Sequence, residues 1–516
     1  MNIGTILETL LVVIMPKNLL FMILGVFIGI VFGAIPGLSG GIAIIVLLPL
    51  TFSMDPMSGI LMLLGIYNGG TYGGSITSVL IGTPGTTGNA ATVADGFGMA
   101  KKGYPTRALG MALLASTIGG FFGSLVLLFA APVISEVAIK LGPPEYFAIA
   151  LLGLAIVAGV GGKNVFTGFT CACLGMLCST VGMSSLTGTK RYTFGSLKML
   201  KGFNSLPVLL GIFALTLLMR NILKAKGNSK QLLIESKEDD KLSGGIIRKC
   251  MKTIMKSSVI GTIIGAIPGA GVVIASFLGY SEAKRSSKHP EEFGKGSIEG
   301  VAAPEAANNA VCASSFVPLL TLGIPGSVVA AILMGALTMH GITPGPLMIT
   351  NQPKYFYGVI LGFLIIQIIM YLEGKYLLKI FRNVSKVPTV LLMPILLIFC
   401  AIGCFTVANR VFDIGIFVVA GLIYYWLQKL GASGPPFVLG FILGPIVEFN
   451  LDGAVVMGGG SPLIFLTRPI CLVFEVISVL LFILMYKQNK KAEAFSKQNV
   501  EKTGVKVEES SSEDVD

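Results

Sequence analysis

Residues 33–41 read GAIPGLSGG and close an apolar run that starts near residue 19. Their first five letters return as Gly265-Ala266-Ile267-Pro268-Gly269, 232 positions later. A second phrase follows each. Ile81-Gly82-Thr83-Pro84-Gly85 is answered 241 positions on by Leu322-Gly323-Ile324-Pro325-Gly326. A weaker echo pairs Asn164-Val165-Phe166 with Asn409-Arg410-Val411-Phe412. One shared pentapeptide could be chance; an ordered series at similar offsets marks a duplicated chain. Apolar segments interrupted by Gly and Pro at corresponding places in two halves point to a repeat-built membrane transporter.

Composition agrees. Of 516 residues, 53% are hydrophobic and 12% charged, with a mean hydropathy of +0.83, against about 25% charged in soluble domains. Apolar runs at 19–35, 107–131, 145–160, 206–220, 324–339, 356–373, 388–404, 411–427 and 463–486 reach or approach the roughly 18 residues a spanning helix needs. They do not alternate as barrel strands would. The expected fold is all-α and polytopic, with about 10–12 spans arranged as two inverted repeats containing broken helices or re-entrant hairpins.

The net charge of +12 sits in loops, which suits retention on the cytoplasmic side better than nucleic-acid binding. Lys224, Lys226, Lys230, Lys237, Arg248, Lys249, Lys252 and Lys256 mark a basic linker. The expected organisation is a first repeat over 1–220, a cytoplasmic linker over 221–258 and a second repeat over 259–462. A final transmembrane helix over 463–486 and a disordered cytoplasmic tail over 487–516 follow. With Lys101, Lys102 and Arg107 placed inside, threading puts 340–355 outside and 374–386 inside, so the repeats are inverted. The stretch 184–205, with Lys190, Arg191, Lys198 and Lys201, resists. Either a span near 161–183 is re-entrant or those charges meet an acidic partner. Cys171, Cys173 and Cys178 match no zinc spacing and read as small core residues, and the first ten residues carry no cleavable signal.

The chemistry is expected at the interruptions. Proline removes a donor, glycine tolerates unusual dihedrals, and a broken helix inside a membrane must be buried in protein or line a cavity. The second half-helix presents free N–H groups and a positive dipole end, which suit a carboxylate. Candidate substrate-binding residues are Asn68, Thr71, Ser75, Thr83, Pro84, Gly85, Thr86 and Asn89 in the first half, and Asn308, Asn309, Gly323, Pro325, Gly326 and Ser327 in the second. Gly37, Ser39, Gly269 and Glu305 are candidates for coupling-ion binding. The plain structural reading is that the small residues only allow close helix packing. Glu305 lies either in the membrane, where a carboxylate is functional, or at its surface beside Glu299; Asp95 poses the same choice near Lys101. His340 reads as a helix-end residue and His289 as a solvated one.

GAIPGLSG, YNGGTYGGSITSVLIGTPGT, DGFGMAKKGYPTRALG, PEAANNA, LGIPGS and HGITPGP, in that order from about residue 17 to 486, resemble the blocks of the large permease subunit of tripartite tricarboxylate transporters. The resemblance implies a secondary transporter for small organic anions in the bacterial inner membrane. It also implies a small membrane subunit and a periplasmic or extracellular solute-binding protein as partners. The implied drive is a Na+ or H+ gradient rather than ATP, with no cofactor, no metal beyond a sodium ion and no enzymatic step. No G-x-x-x-x-G-K-[ST] phosphate loop is present.

Two rivals remain at this point. A serine hydrolase could use the Gly-flanked Ser433 or Ser39, but no His follows Ser433 and a serine nucleophile needs a base within reach. A gradient-driven channel or uniporter for small anions would also use Gly-rich breaks.

Overall fold

A computed structural model of the chain describes residues 3–35, 38–160, 165–184, 187–216, 218–220, 237, 240–268, 271–377, 394, 397–398, 400–405, 409–483 and 487, the side chains of 156–160 aside. In chain order the helices are α1 (Ile3–Val13), α2 (Pro16–Gly33), α3 (Gly40–Thr51), α4 (Pro56–Leu80), α5 (Val93–Lys101), α6 (Pro105–Ala138), α7 (Pro143–Val160) and α8 (Val165–Ser179). A short antiparallel pair, β1 (Gly182–Met183) with β2 (Lys190–Arg191), comes next. Then follow α9 (Ser205–Leu209), α10 (Gly244–Ala266), α11 (Gly271–Ser286), α12 (Ile298–Ser314), α13 (Phe316–Leu322), α14 (Val328–Met339), α15 (Pro353–Tyr376), α16 (Val411–Lys429) and α17 (Gly434–Met457). The last described helix is α18 (Pro469–Ile483). The chain is an all-α polytopic membrane protein. Among the described residues, α2, α6, α15, α16 and α17 are long and apolar enough to cross a bilayer.

The apolar runs and the helices agree with instructive exceptions. The 434–457 helix and the 25-residue α4 are not in the list of apolar runs, because glycine, threonine and asparagine dilute their hydropathy. The run 463–486 is interrupted at Arg468 before α18 begins. Much of the run 388–404 lies outside the described residues. Cys171 is buried, whereas Cys173 is exposed and so is not a core residue.

Packing divides the chain into two compact units, and each draws on both halves of the sequence. The first comprises Met1–Ile139 and Leu217–Arg410, the second Lys140–Thr216 and Val411–Asp516.

In the first unit, proline at the first turn starts α2, α4, α6 and α15, where its missing N–H is unneeded. Helices α2 and α4 then pack backbone to backbone. A Cβ on Gly29 would strike the Ile66 carbonyl, and one on Gly69 the Val26 carbonyl; Gly25, Gly33, Gly65 and Gly73 continue the stripe in the small-residue manner of membrane helices. Helices α10 and α12 repeat this with Gly261 on Ala307 and Gly265 on Val311 and Ser314.

The duplication is visible bond by bond. Gly82 and Gly323 both end a helix with φ near +75° (77° and 73°), a conformation glycine reaches without steric penalty. Gly85 N–H donates to Gly74 O (3.3 Å), and Gly326 N–H donates to Ser315 O (3.2 Å). A Cβ on Gly85 or Gly326 would come within 2.7 Å of the Gly33 or the Gly265 carbonyl, respectively. Each Pro-Gly turn is therefore folded onto Gly33 or Gly265 at the helix end of its own half.

In the second unit, Gly440 packs on the Ala172 carbonyl and Gly175 on that of Phe437, joining α17 to α8. Arg191 forms a two-pronged ion pair with Glu448 (Nη2–Oε2 3.2 Å). One basic residue of the stretch 184–205 thus meets an acid of its own chain, next to a helix α8 of only 15 residues. An apolar groove of about 260 Å³ lies among Leu151, Phe169, Met176 and Phe482.

Candidate functional site

Helix α4 runs unbroken to Leu80, just before the first Pro-Gly turn, and α12 runs unbroken from Ile298 to Ser314, with α13 between it and the second turn. This corrects one expectation: Asn68, Thr71 and Ser75 lie on an intact helix, and the interruption comes only after Leu80. PEAANNA is likewise helical, so Glu305 is not at a surface. Its side chain is fully buried.

Four neutral groups donate to Glu305. Ser75 Oγ and Ser116 Oγ bond to Oε2 at 2.6 and 3.2 Å. Thr92 Oγ1 and Asn89 Nδ2 bond to Oε1 at 2.6 and 3.0 Å. Residues from α4, the turn after it, α6 and α12 thus converge on one carboxylate. No lysine or arginine bonds to it among the described residues. A buried carboxylate needs both hydrogen-bond donors and a compensating charge. Donors are supplied here by three hydroxyl groups and one amide.

A second group lies one turn further along the same helices. Asn68 and Asn309, 241 positions apart, each donate Nδ2 to the carbonyl four residues back, Leu64 O and Glu305 O, both at 3.1 Å. Asn68 Oδ1 accepts from Gln367 Nε2 at 2.8 Å, whereas Asn309 Oδ1 has no partner among the described residues. The preceding residues cross between repeats. Tyr67 OH lies 3.5 Å from Ser327 Oγ, and the Asn308 amide presses on Gly88, where a Cβ would come within 2.8 Å of its Cγ. Asn308 is 1% exposed, yet neither its Nδ2 nor its Oδ1 has a partner among the described residues. Leaving a buried polar atom unpaired costs about 1–3 kcal/mol, which sets this amide apart from the bonded amides of Asn68 and Asn89.

The short helices after the interruptions start beside these groups. Ser39 Oγ accepts from Ile42 N–H (3.4 Å) to cap α3, and Ser327 Oγ accepts from Ala330 N–H (3.1 Å) to cap α14. Helix N-termini of this kind favour anions. The two turns differ in one respect: Thr83 and Pro84 are exposed, whereas Pro325 and Gly326 are buried.

Residues 19–439 match the family described as Tripartite tricarboxylate transporter TctA family. The chain belongs to that family. An uncharacterized 52.8 kDa protein from Agrobacterium vitis, in the TAR-I ttuC′ 3′ region, is 38% identical over 455 residues, covering 88% of this chain and 90% of its own. An uncharacterized protein in the TAR-II ttuC′ 3′ region of the same organism is 40% identical over 238 residues, 46% of this chain and 98% of its own. The TctA membership makes this chain a membrane transporter protein of a tripartite system.

Within this TctA chain the residues singled out by sequence fall into three sets. Ser75, Asn89 and Glu305 meet directly, and Thr86 joins them through Asn89 Oδ1. Asn68, Thr71, Asn308, Asn309 and Ser327 belong to the second group, tied across the repeats by Tyr67 OH near Ser327 Oγ and by Thr71 Oγ1 accepting from Cys312 Sγ at 3.4 Å. Thr83, Pro84, Gly85, Gly323, Pro325 and Gly326 form the turns, and Ser39 serves as a cap. Gly37 and Gly269 lie outside the described residues. Sequence reading missed Thr92, Ser116, Tyr67 and Gln367. Gln367 had a signal: it is a polar side chain inside a 24-residue apolar helix. Ser116 had none, being one small residue among many on α6.

Asp95 has a structural task. Its carboxylate accepts from the N–H groups of Gly294 (2.9 Å), Gly296 (2.8 Å) and Ser297 (2.7 Å) and from Tyr280 OH (2.9 Å). It therefore latches α5 to the start of α12. Asp95→Ala is expected to lower stability by about 3 kcal/mol, the scale for losing charge-assisted bonds. Thermal melting of the purified protein, with protease cutting at 287–297 as the local reporter, checks this.

Proposed function

We propose that this chain is the large permease subunit of an ion-coupled importer of small carboxylates, fed by a solute-binding protein and completed by a small membrane subunit. The observation that carries the reading is Asn308: a buried amide without a hydrogen-bond partner among the described residues, pressed against Gly88 just after the first Pro-Gly turn. Asn308, Asn309 and the N-termini of α3 and α14 hold the substrate anion, and the oxygen shell of Glu305 takes the coupling Na+ or H+. Because α4 and α12 each reach across to the other repeat, a change in their packing would alternate access to this point. The unequal exposure of the two Pro-Gly turns fits one end state of such a cycle.

Asp240 accepts from the N–H groups of Thr106 and Arg107 (2.8 Å each), and Lys237 N–H donates to Gly103 O (3.0 Å). This ties the linker to the Lys101–Arg107 turn and supports one cytoplasmic side for both, in a bacterial inner membrane with the C-terminus also inside.

The test is uptake of labelled citrate, malate and succinate into proteoliposomes holding the chain and its small subunit. It is run with and without the binding protein under imposed Na+ or H+ gradients. Saturable uptake that requires the binding protein and follows one ion supports the reading; non-saturating, gradient-independent flux favours a channel or uniporter and sinks it. In the same assay Glu305→Gln is expected to reduce gradient-driven uptake by at least about tenfold, the equivalent of 1.4 kcal/mol, because its amide nitrogen would face the Ser and Thr donors and carry no charge for the ion.

A further inference from the structure

A second buried acid lies on α15 and has no role in the site above. Glu373 is 8% exposed, yet neither carboxylate oxygen has a hydrogen-bond partner among the described residues. The turn that carries it touches Tyr72 of α4: a Cβ on Gly374 would lie 3.1 Å from Tyr72 Cε1. The Tyr72 hydroxyl is itself buried and unpartnered, and Tyr72 is within electrostatic reach of Glu305.

Position matters as much as burial. Leu113 of α6 also packs on Gly374, six residues from Arg107, or about 9 Å along the helix. Ser116, which bonds Glu305, is about 14 Å from Arg107 on the same scale. The turn of α15 that carries Glu373 therefore lies between the Lys101–Arg107 end of α6 and the level of Ser116.

Other charges on the packed elements are engaged elsewhere. On α6, Arg107 stacks on Tyr104 at 4.3 Å, and Glu136 is coupled to Tyr357 at the far end of α15. Glu8 of α1 and Lys17 of α2 are at that far end too, where Thr9 and Met57 pack on Gly358. Tyr67 of α4 faces Ser327. On α15 itself Lys375 lies over the rings of Tyr371 and Tyr376, 5.9 and 5.4 Å from their centroids. A lone buried carboxylate must be neutralised. Sodium would need several oxygen ligands such as the hydroxyl groups on Glu305, and no hydroxyl bonds Glu373 among the described residues; a proton needs only the carboxyl group.

We propose that Glu373 is a proton-carrying site, so that a proton is loaded and released at the linker end of the transporter. The inference rests on the ion-coupled reading above. The direct test is pH-titrated infrared spectroscopy of the full chain in lipid vesicles. Wild type and Glu305→Gln are expected to show a titrating carbonyl band of a protonated carboxyl group, Glu373→Gln to lack it, and Glu373→Asp to regain it at a shifted frequency. An undiminished band in Glu373→Gln overturns the proposal, as does its absence from wild type.

In the uptake assay Glu373→Gln is expected to lose stimulation by a proton gradient about tenfold while exchange of labelled against unlabelled carboxylate stays within about twofold. Wild-type uptake that follows Na+ alone overturns the proton role and leaves the importer standing. A wild type that moves none of the probe carboxylates sinks the importer reading, while the infrared result still reports on Glu373.

Discussion

Asn308→Ala protein is expected to enter the membrane and melt as the parent does, and to fail in carboxylate uptake by about 10- to 100-fold. The two halves of this expectation come from the same geometry. The Asn308 amide has no partner among the described residues, so truncation breaks no internal hydrogen bond and removes two buried, unsatisfied polar atoms. Against that gain stands a small cavity beside Gly88. The balance is near neutral for stability, whereas a hydrogen bond to a charged ligand contributes about 1.5–3 kcal/mol, which is one to two orders of magnitude in uptake. Asn309→Ala is a useful contrast, because it also loses the bond to Glu305 O and should show some thermal destabilisation. The measurement is initial uptake rate at fixed carboxylate concentration, paired with a melting curve in detergent. Normal uptake by Asn308→Ala and Asn309→Ala together would remove the site assignment.

Gly119→Val is expected to be the most damaging single change in the first unit. A Cβ at Gly119 would strike the Ala306 carbonyl, and Gly123, one turn on, packs the same way on Ala310. Both contacts are with backbone of α12, so no rotamer change can relieve them. Overpacking of a tight core costs about 1–3 kcal/mol even when side chains can give way; here the helices themselves must part, and about 3 kcal/mol or more is expected. Separation of α6 from α12 would also pull Ser116 from Glu305. Loss of folded protein from the membrane fraction and a lowered melting point are the readouts. Gly335→Ala is the control: nothing lies within 4 Å of a Cβ there, and helix propensity favours alanine by roughly 0.5–1 kcal/mol. Equal behaviour of the two variants would refute the close-packing account.

Much of the architecture was legible because hydropathy, helix starts and glycine breaks are local properties. Long apolar runs announced α2, α6 and α15, and Pro at a helix start together with Pro-Gly after a run marked boundaries. The repeated GAIPG and Pro-Gly phrases announced the duplication and the family. Where hydropathy was diluted, as in α4, the helix was not announced, since it buries polar and small residues against protein rather than lipid.

The site was legible only in outline. Asn68, Asn89, Glu305, Asn308 and Asn309 are unusual residues for apolar surroundings, so their types attracted notice. Which of them meet depends on sequence separations of more than 200 residues, such as Ser75 with Glu305 and Asn68 with Gln367. Nor could spacing separate Glu305, at the centre of four donors, from Asp95, which latches a loop. Both are acids beside small residues in apolar or mixed sequence.

By itself, then, the sequence determined an all-α, duplicated membrane protein of the TctA family and the places where its helices stop. Those outcomes follow from side-chain transfer free energies and backbone restrictions acting within a few turns. Tertiary structure alone decided that α4 and α12 stay intact through their Asn-rich stretches, that Glu305 is enclosed by neutral donors, and that the Asn308 amide is buried without a hydrogen-bond partner among the described residues. These depend on glycine stripes bringing helices from opposite halves into backbone contact, and the burial of a polar atom is a property of its neighbours, not of its own position in the chain.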